Sequence, residues 1–96
     1  MISRDQAIRE SRKALSQLQI IILELERAID EAGFFANEQT IAAAETQIDT
    51  LERIYDEIGP RLILQMQDRP SEWPTKFEAL KRLLKNATEA SEYIGN

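Results

Sequence analysis

The feature that most restricts how this chain can fold is a spacing. From Ile8 onward, Leu15, Leu18, Ile22, Leu25, Ile29 and Ala32 recur in alternating steps of three and four, and only Ser11 interrupts the apolar series. Residues so spaced share one side of an α-helix, which turns once in about 3.6 residues, whereas a half-buried strand needs every second residue apolar. Ile8, Leu15, Ile22 and Ile29 fall on one heptad position and Leu18, Leu25 and Ala32 on another, while Ala7, Ala14, Ile21 and Ala28 widen the stripe. Ser3 with Gln6 three places on reads as a capping box, which starts the helix at about Arg4. A run without a break to Ala32 would be about 42 Å long.

Gly33 supplies a residue able to close this helix in the left-handed conformation, and Asn37 is the expected N-cap of the next. The turn is then Gly33-Phe34-Phe35-Ala36, short enough to make the flanking helices antiparallel neighbours. The second helix carries Ile41, Ala44, Ile48, Leu51, Tyr55 and Ile58 at the same spacing, with Ile54 broadening its face. Gly59-Pro60 predicts a bend, because proline has no amide hydrogen and crowds the preceding turn. Arg61 to Arg69, with Leu62, Ile63, Leu64 and Met66, reads as a short third helix or a kinked continuation of the second, and Pro70 ends it. Pro70-Ser71-Glu72-Trp73-Pro74 is a loop from which Ser71 or Thr75 would cap the last helix. That helix buries Phe77, Leu80, Leu84 and Ala87, with Leu83 alongside, and should fray around Tyr93-Ile94-Gly95. The fold class is therefore all-α: an antiparallel hairpin of two long helices plus a short third and a C-terminal helix, forming a three- to four-helix bundle in a single domain over residues 1–96.

The composition, 43% hydrophobic and 30% charged, belongs to a folded chain rather than a disordered one. With no cysteine there are no disulfides, and a cytoplasmic setting is expected. The longest apolar run, Ile20-Ile21-Ile22-Leu23, falls far short of the roughly 20 residues that span a bilayer, and no signal-peptide pattern opens the sequence, so no membrane association is expected. Asn86-Ala87-Thr88 matches a glycosylation sequon, but a helical segment in that setting is not expected to use it.

Catalytic chemistry has little to draw on. Histidine and cysteine are absent, which removes the commonest general base, nucleophile and metal ligands, and three isolated glycines make no phosphate-cradling loop. No enzyme activity, cofactor or metal is expected. Glu45, Asp49, Glu52 and Asp56 share one helical face, which reads as a solvated acidic surface in preference to a cation site, since calcium and magnesium need converging oxygens. Lys76, Lys81, Arg82 and Lys85 on the last helix resemble a phosphate-contacting strip, but Glu78, Glu89 and Glu92 dilute it, and no nucleic acid is expected as a partner.

The net charge of −5 is unevenly spread. Residues 1–13 carry +2, residues 24–57 carry −8 and residues 61–85 carry +3, so an acidic middle lies between mildly basic flanks. The first helix also has more apolar side chains than one stripe accommodates, since Ile20 and Leu23 lie away from the seam. Two arrangements satisfy this. The other helices wrap the first in a monomer, or Leu15, Leu18, Ile20, Ile22, Leu23 and Leu25 form the seam of a homo-oligomer, with a dimer favoured. Phe34, Phe35 and Trp73 are candidate partner contacts, with packing against the core as the alternative for each. Two functional readings follow: a protein–protein interaction module such as an adaptor, small chaperone or assembly factor, whose partner the sequence does not identify, or an acidic regulator that binds a basic surface through the 24–57 carboxylates.

Overall fold

The computed structural model describes residues 2–32 and 37–95, and helices account for nearly all of them. Helix α1 spans Arg4–Ala32, α2 spans Glu38–Arg53, a π-helical turn occupies Ile54–Ile58, α3 spans Gly59–Asp68 and α4 spans Trp73–Gly95. No strand occurs among the described residues. Because α2, the π-turn and α3 follow one another without a non-helical residue, the chain forms three rods: α1, the composite rod and α4. Each packs against the other two.

The helix starts follow local chemistry. Ser3 Oγ accepts from the Gln6 amide at 3.2 Å, and Asn37 Oδ1 accepts from the Thr40 amide at 2.7 Å, so each side chain satisfies a donor that the first turn leaves orphaned. At the third corner neither Ser71 nor Thr75 takes the capping place. The helix begins at Trp73, so Glu72 flanks it: its carbonyl accepts from the Lys76 amide at 3.1 Å while its own amide donates to Arg69 O at 2.9 Å. Pro74 decides this, since its fixed φ and missing donor suit a first helical turn, and the loop expected through Pro74 shrinks accordingly. Arg69, at φ −125° and ψ 79°, leaves the helical region just ahead of Pro70, as sterics before proline require. At the far end α4 continues to Gly95.

The expected bend at Gly59-Pro60 takes the form of a π-turn. Gly59 donates its amide to Ile54 O, five residues back, and Ile58 and Gly59 keep right-handed helical angles, so the rod is not broken. The wider turn lies just before the position where Pro60 would crowd an ordinary α-turn. It also shifts the buried face. Buried residues along the composite rod are Ala44, Ile48, Leu51, Ile54, Gly59, Ile63 and Met66, with a five-residue step from Ile54 to Gly59. A strict three-four pattern puts Tyr55 and Ile58 at the centre and Ile54 at the edge; instead Ile54 is 2% exposed while Tyr55 and Ile58 are half-buried. One added residue per turn advances the face by about 100°, which is the reason.

The core lies along the axis between the three rods. Leu18, Leu51, Ile54, Met66 and Leu80 are its most enclosed large side chains, surrounded by Ile8, Leu15, Ile22, Leu25, Ile48, Ile63 and Phe77. Ser11, the polar interruption in the α1 series, is also buried, and its hydroxyl donates to Ala7 O at 2.8 Å. Ser11 and Ala14 line the same small cleft as Phe77, Leu80 and Leu84, so α1 offers short side chains where α4 brings its aromatic ring. Two polar contacts fix neighbouring rods: Gln47 Nε2 donates to Ala87 O at 3.0 Å, and Tyr55 Oη donates to Gln19 Oε1 at 3.3 Å. The molecule measures 51 × 18 × 16 Å, with a radius of gyration of 15.3 Å. A compact chain of this length would have about 12.5 Å. The elongation follows from rods of some 30 residues laid side by side, and it leaves each rod one long side facing outward.

Candidate interaction surface

With the core filled by one side of each rod, the informative residues are the large apolar ones left out. Ile20 is 56% exposed, Leu23 57% and Leu64 54%, and these are the exposed large hydrophobic side chains among the described residues. Ile20 and Leu23 stand three residues apart on α1 and share its outer face, while Leu64 lies on α3. No helix among the described residues is long and apolar enough to cross a membrane, which leaves this exposure without a lipid explanation from a spanning helix.

The six residues considered for an oligomer seam divide in two. Leu15, Leu18, Ile22 and Leu25 are buried in the chain's own core, where Leu18 is 2% exposed, and within one folded chain their seam is occupied by α2, α3 and α4. Ile20 and Leu23 remain available. The heptad of α1 therefore serves an intramolecular bundle, and the surplus apolar pair has been placed opposite it.

Around that pair the outer face of α1 is polar and ordered by charge. Arg12, Lys13, Ser16, Arg27, Asp30 and Glu31 are all exposed, and at 100° per residue each falls within about 50° of the line midway between Ile20 and Leu23. No charged residue occurs between Lys13 and Glu24. The face thus runs from basic through apolar to acidic along roughly 30 Å of helix. Segment charges read from the sequence did reveal a basic start and an acidic middle; that Arg12, Lys13, Asp30 and Glu31 share a face with Ile20 and Leu23 was also encoded, in their helical phase, but gains meaning only once that face is known to be outward.

Of the candidate partner contacts, Phe34 and Phe35 lie outside the described residues. Trp73 is half-buried as the first residue of α4 and packs on the core, its ring centroid 6.4 Å from that of Phe77. The acidic patch is dispersed: Glu45, Asp49 and Asp56 are exposed and Glu52 is half-buried, and no group of three or more carboxylates among the described residues is placed to hold a metal ion. On α4, Lys81 is drawn back onto the chain, with Nζ 5.0 Å from the Phe77 ring centroid and 3.4 Å from Glu78 Oε1, which weakens the basic strip as a phosphate contact. A groove of about 440 Å³ between α1 and α3, lined by Arg4, Asp5, Ile8, Arg9, Arg12 and Gln67, is open and shallow. No buried side-chain nitrogen or oxygen among the described residues lacks a hydrogen-bond partner. No family model, curated protein or solved structure matches the chain.

Proposed function

We propose that this chain is a non-enzymatic protein–protein interaction module, an adaptor, small chaperone or assembly factor, that works as a helical-bundle oligomer. The observation that carries the reading is the position of Ile20 and Leu23. The bundle closes its core without them, yet both stand more than half exposed, three residues apart, on a helix whose other face is fully used. Burying such a pair against another protein removes apolar surface from water at about 25 cal/mol per Å², a gain the isolated chain forgoes. The test is light scattering on the purified chain beside Ile20→Glu and Leu23→Glu. Self-association that either substitution abolishes supports the reading, and a monomeric parent refutes its oligomeric part.

A second reading draws on the exposure of Glu45, Asp49 and Asp56 along α2: an acidic regulator that occupies a basic surface on its partner. Salt separates the two. Binding through exposed carboxylates collapses as ionic strength rises beyond about 0.15 M, where charges more than about 8 Å apart are screened, whereas an apolar contact persists.

A further inference from the structure

We infer that the covering for the outer face of α1 is the same face of a second copy of this chain, laid antiparallel. The inference rests on the interaction reading above and specifies its geometry. Its basis is the order of side chains along the face: Arg12 and Lys13, then the uncharged stretch with Ser16, Ile20 and Leu23, then Arg27, Asp30 and Glu31, every one of them exposed. A two-fold axis crossing the helix near residue 21 maps each end of this face onto the other. Ile20 and Leu23 of one copy then meet Leu23 and Ile20 of the other, so the apolar pair becomes a cluster of four side chains. On one flank Arg12 faces Asp30 of the second copy, and on the other Lys13 faces its Glu31. These pairs fall at nearly the same height, because 12 plus 30 and 13 plus 31 are both close to twice 21, and at the same angular offset from the contact line. Arg27 comes level with Ser16, whose short side chain leaves room for it.

Orientation is decided by charge. A parallel pair would set Arg12 and Lys13 beside their own copies at one end and Asp30 and Glu31 beside theirs at the other, and like charges so placed are repulsive. The antiparallel pair converts both ends to attraction. A self-complementary face of this kind is what a closed two-fold dimer requires, and a heterologous contact would leave one end unmatched and propagate. The long, straight side of a 51 Å rod provides the length over which the match extends.

The test uses sedimentation equilibrium on the full chain and two variants, Arg12→Glu with Lys13→Glu and Asp30→Lys with Glu31→Lys, with circular dichroism confirming that each stays helical. The expected result is a dimer for the parent, self-association weakened by about ten-fold or more in each variant, and dimers restored when the two variants are mixed. The chain has no cysteine, so orientation is read directly: Ser16→Cys mixed with Arg27→Cys should give the mixed disulfide, and Ser16→Cys alone should give little. A dimer indifferent to the charge reversals, or one in which Ser16→Cys links efficiently to itself, overturns the antiparallel pairing while leaving the interaction reading intact. A parent that remains monomeric overturns both.

Discussion

Gly59 of α3 packs so closely on Leu15 of α1 that a β-carbon added to it would stand 2.6 Å from Leu15 Cδ2 and 2.8 Å from the Ile54 carbonyl oxygen. The glycine has an ordinary helical φ of −61°, so its role is closeness of approach and not conformational freedom. It lets the π-turn lie against α1 at the point where the buried face of the composite rod changes phase.

Gly59→Ala is accordingly expected to lower stability by about 1–3 kcal/mol, although alanine favours an isolated helix over glycine by about 1 kcal/mol. The Leu15 methyl groups are held by the surrounding core, and the Ile54 carbonyl is backbone that cannot swing away. In a Leu15→Ala background the added cost should shrink, because that side chain supplies two of the three close contacts. Urea denaturation of the four chains of this cycle measures it, and equal costs in both backgrounds would refute the contact as the cause.

The two sides of α1 should respond oppositely to a charge. Ile20→Glu and Leu23→Glu, both on the exposed face, are expected to change the unfolding free energy of the monomer by no more than about 0.5 kcal/mol. Leu18→Glu, two positions from Ile20 but 2% exposed, should prevent folding, since a core carboxylate has no partner there. Thermal unfolding at high dilution, where self-association is absent, separates these outcomes.

Asn37→Ala should cost about 0.5–2 kcal/mol by removing the side-chain acceptor 2.7 Å from the Thr40 amide. Asn37→Asp should retain most of the stability, because a carboxylate accepts the same bond and favours a helix N-terminus. The pair is compared by denaturant midpoints at constant slope; an alanine variant as stable as the aspartate would show that the cap contributes nothing.

Ser11→Ala is expected to be neutral or stabilising by up to about 0.5 kcal/mol, despite the burial of Ser11. Its hydroxyl bonds only to the Ala7 carbonyl, which in a regular helix already accepts the Ser11 amide, so its removal orphans no partner. A loss above about 1 kcal/mol in calorimetry would mean that the hydroxyl has a role in the contact with α4.

Much of this fold can be read from one dimension because helices are local. The spacing from Ile8 to Ala32, the caps Ser3 and Asn37, and the prolines at 60 and 70 set where rods begin, end or are disturbed, since each acts through neighbours within about four residues. The same spacing identifies Ile20 and Leu23 as surplus to the seam. Other choices depended on contacts distant in sequence. Whether Ile54 or Tyr55 faces inward turned on a π-turn whose five-residue step lets Gly59 meet Leu15 across the bundle, 44 positions away. Whether the α1 heptad joins two chains or closes one was decided likewise, by α2, α3 and α4 filling it from within. Periodicity fixes which side chains share a face, but which neighbour covers that face is settled by packing, and packing compares partners that the local pattern does not contain.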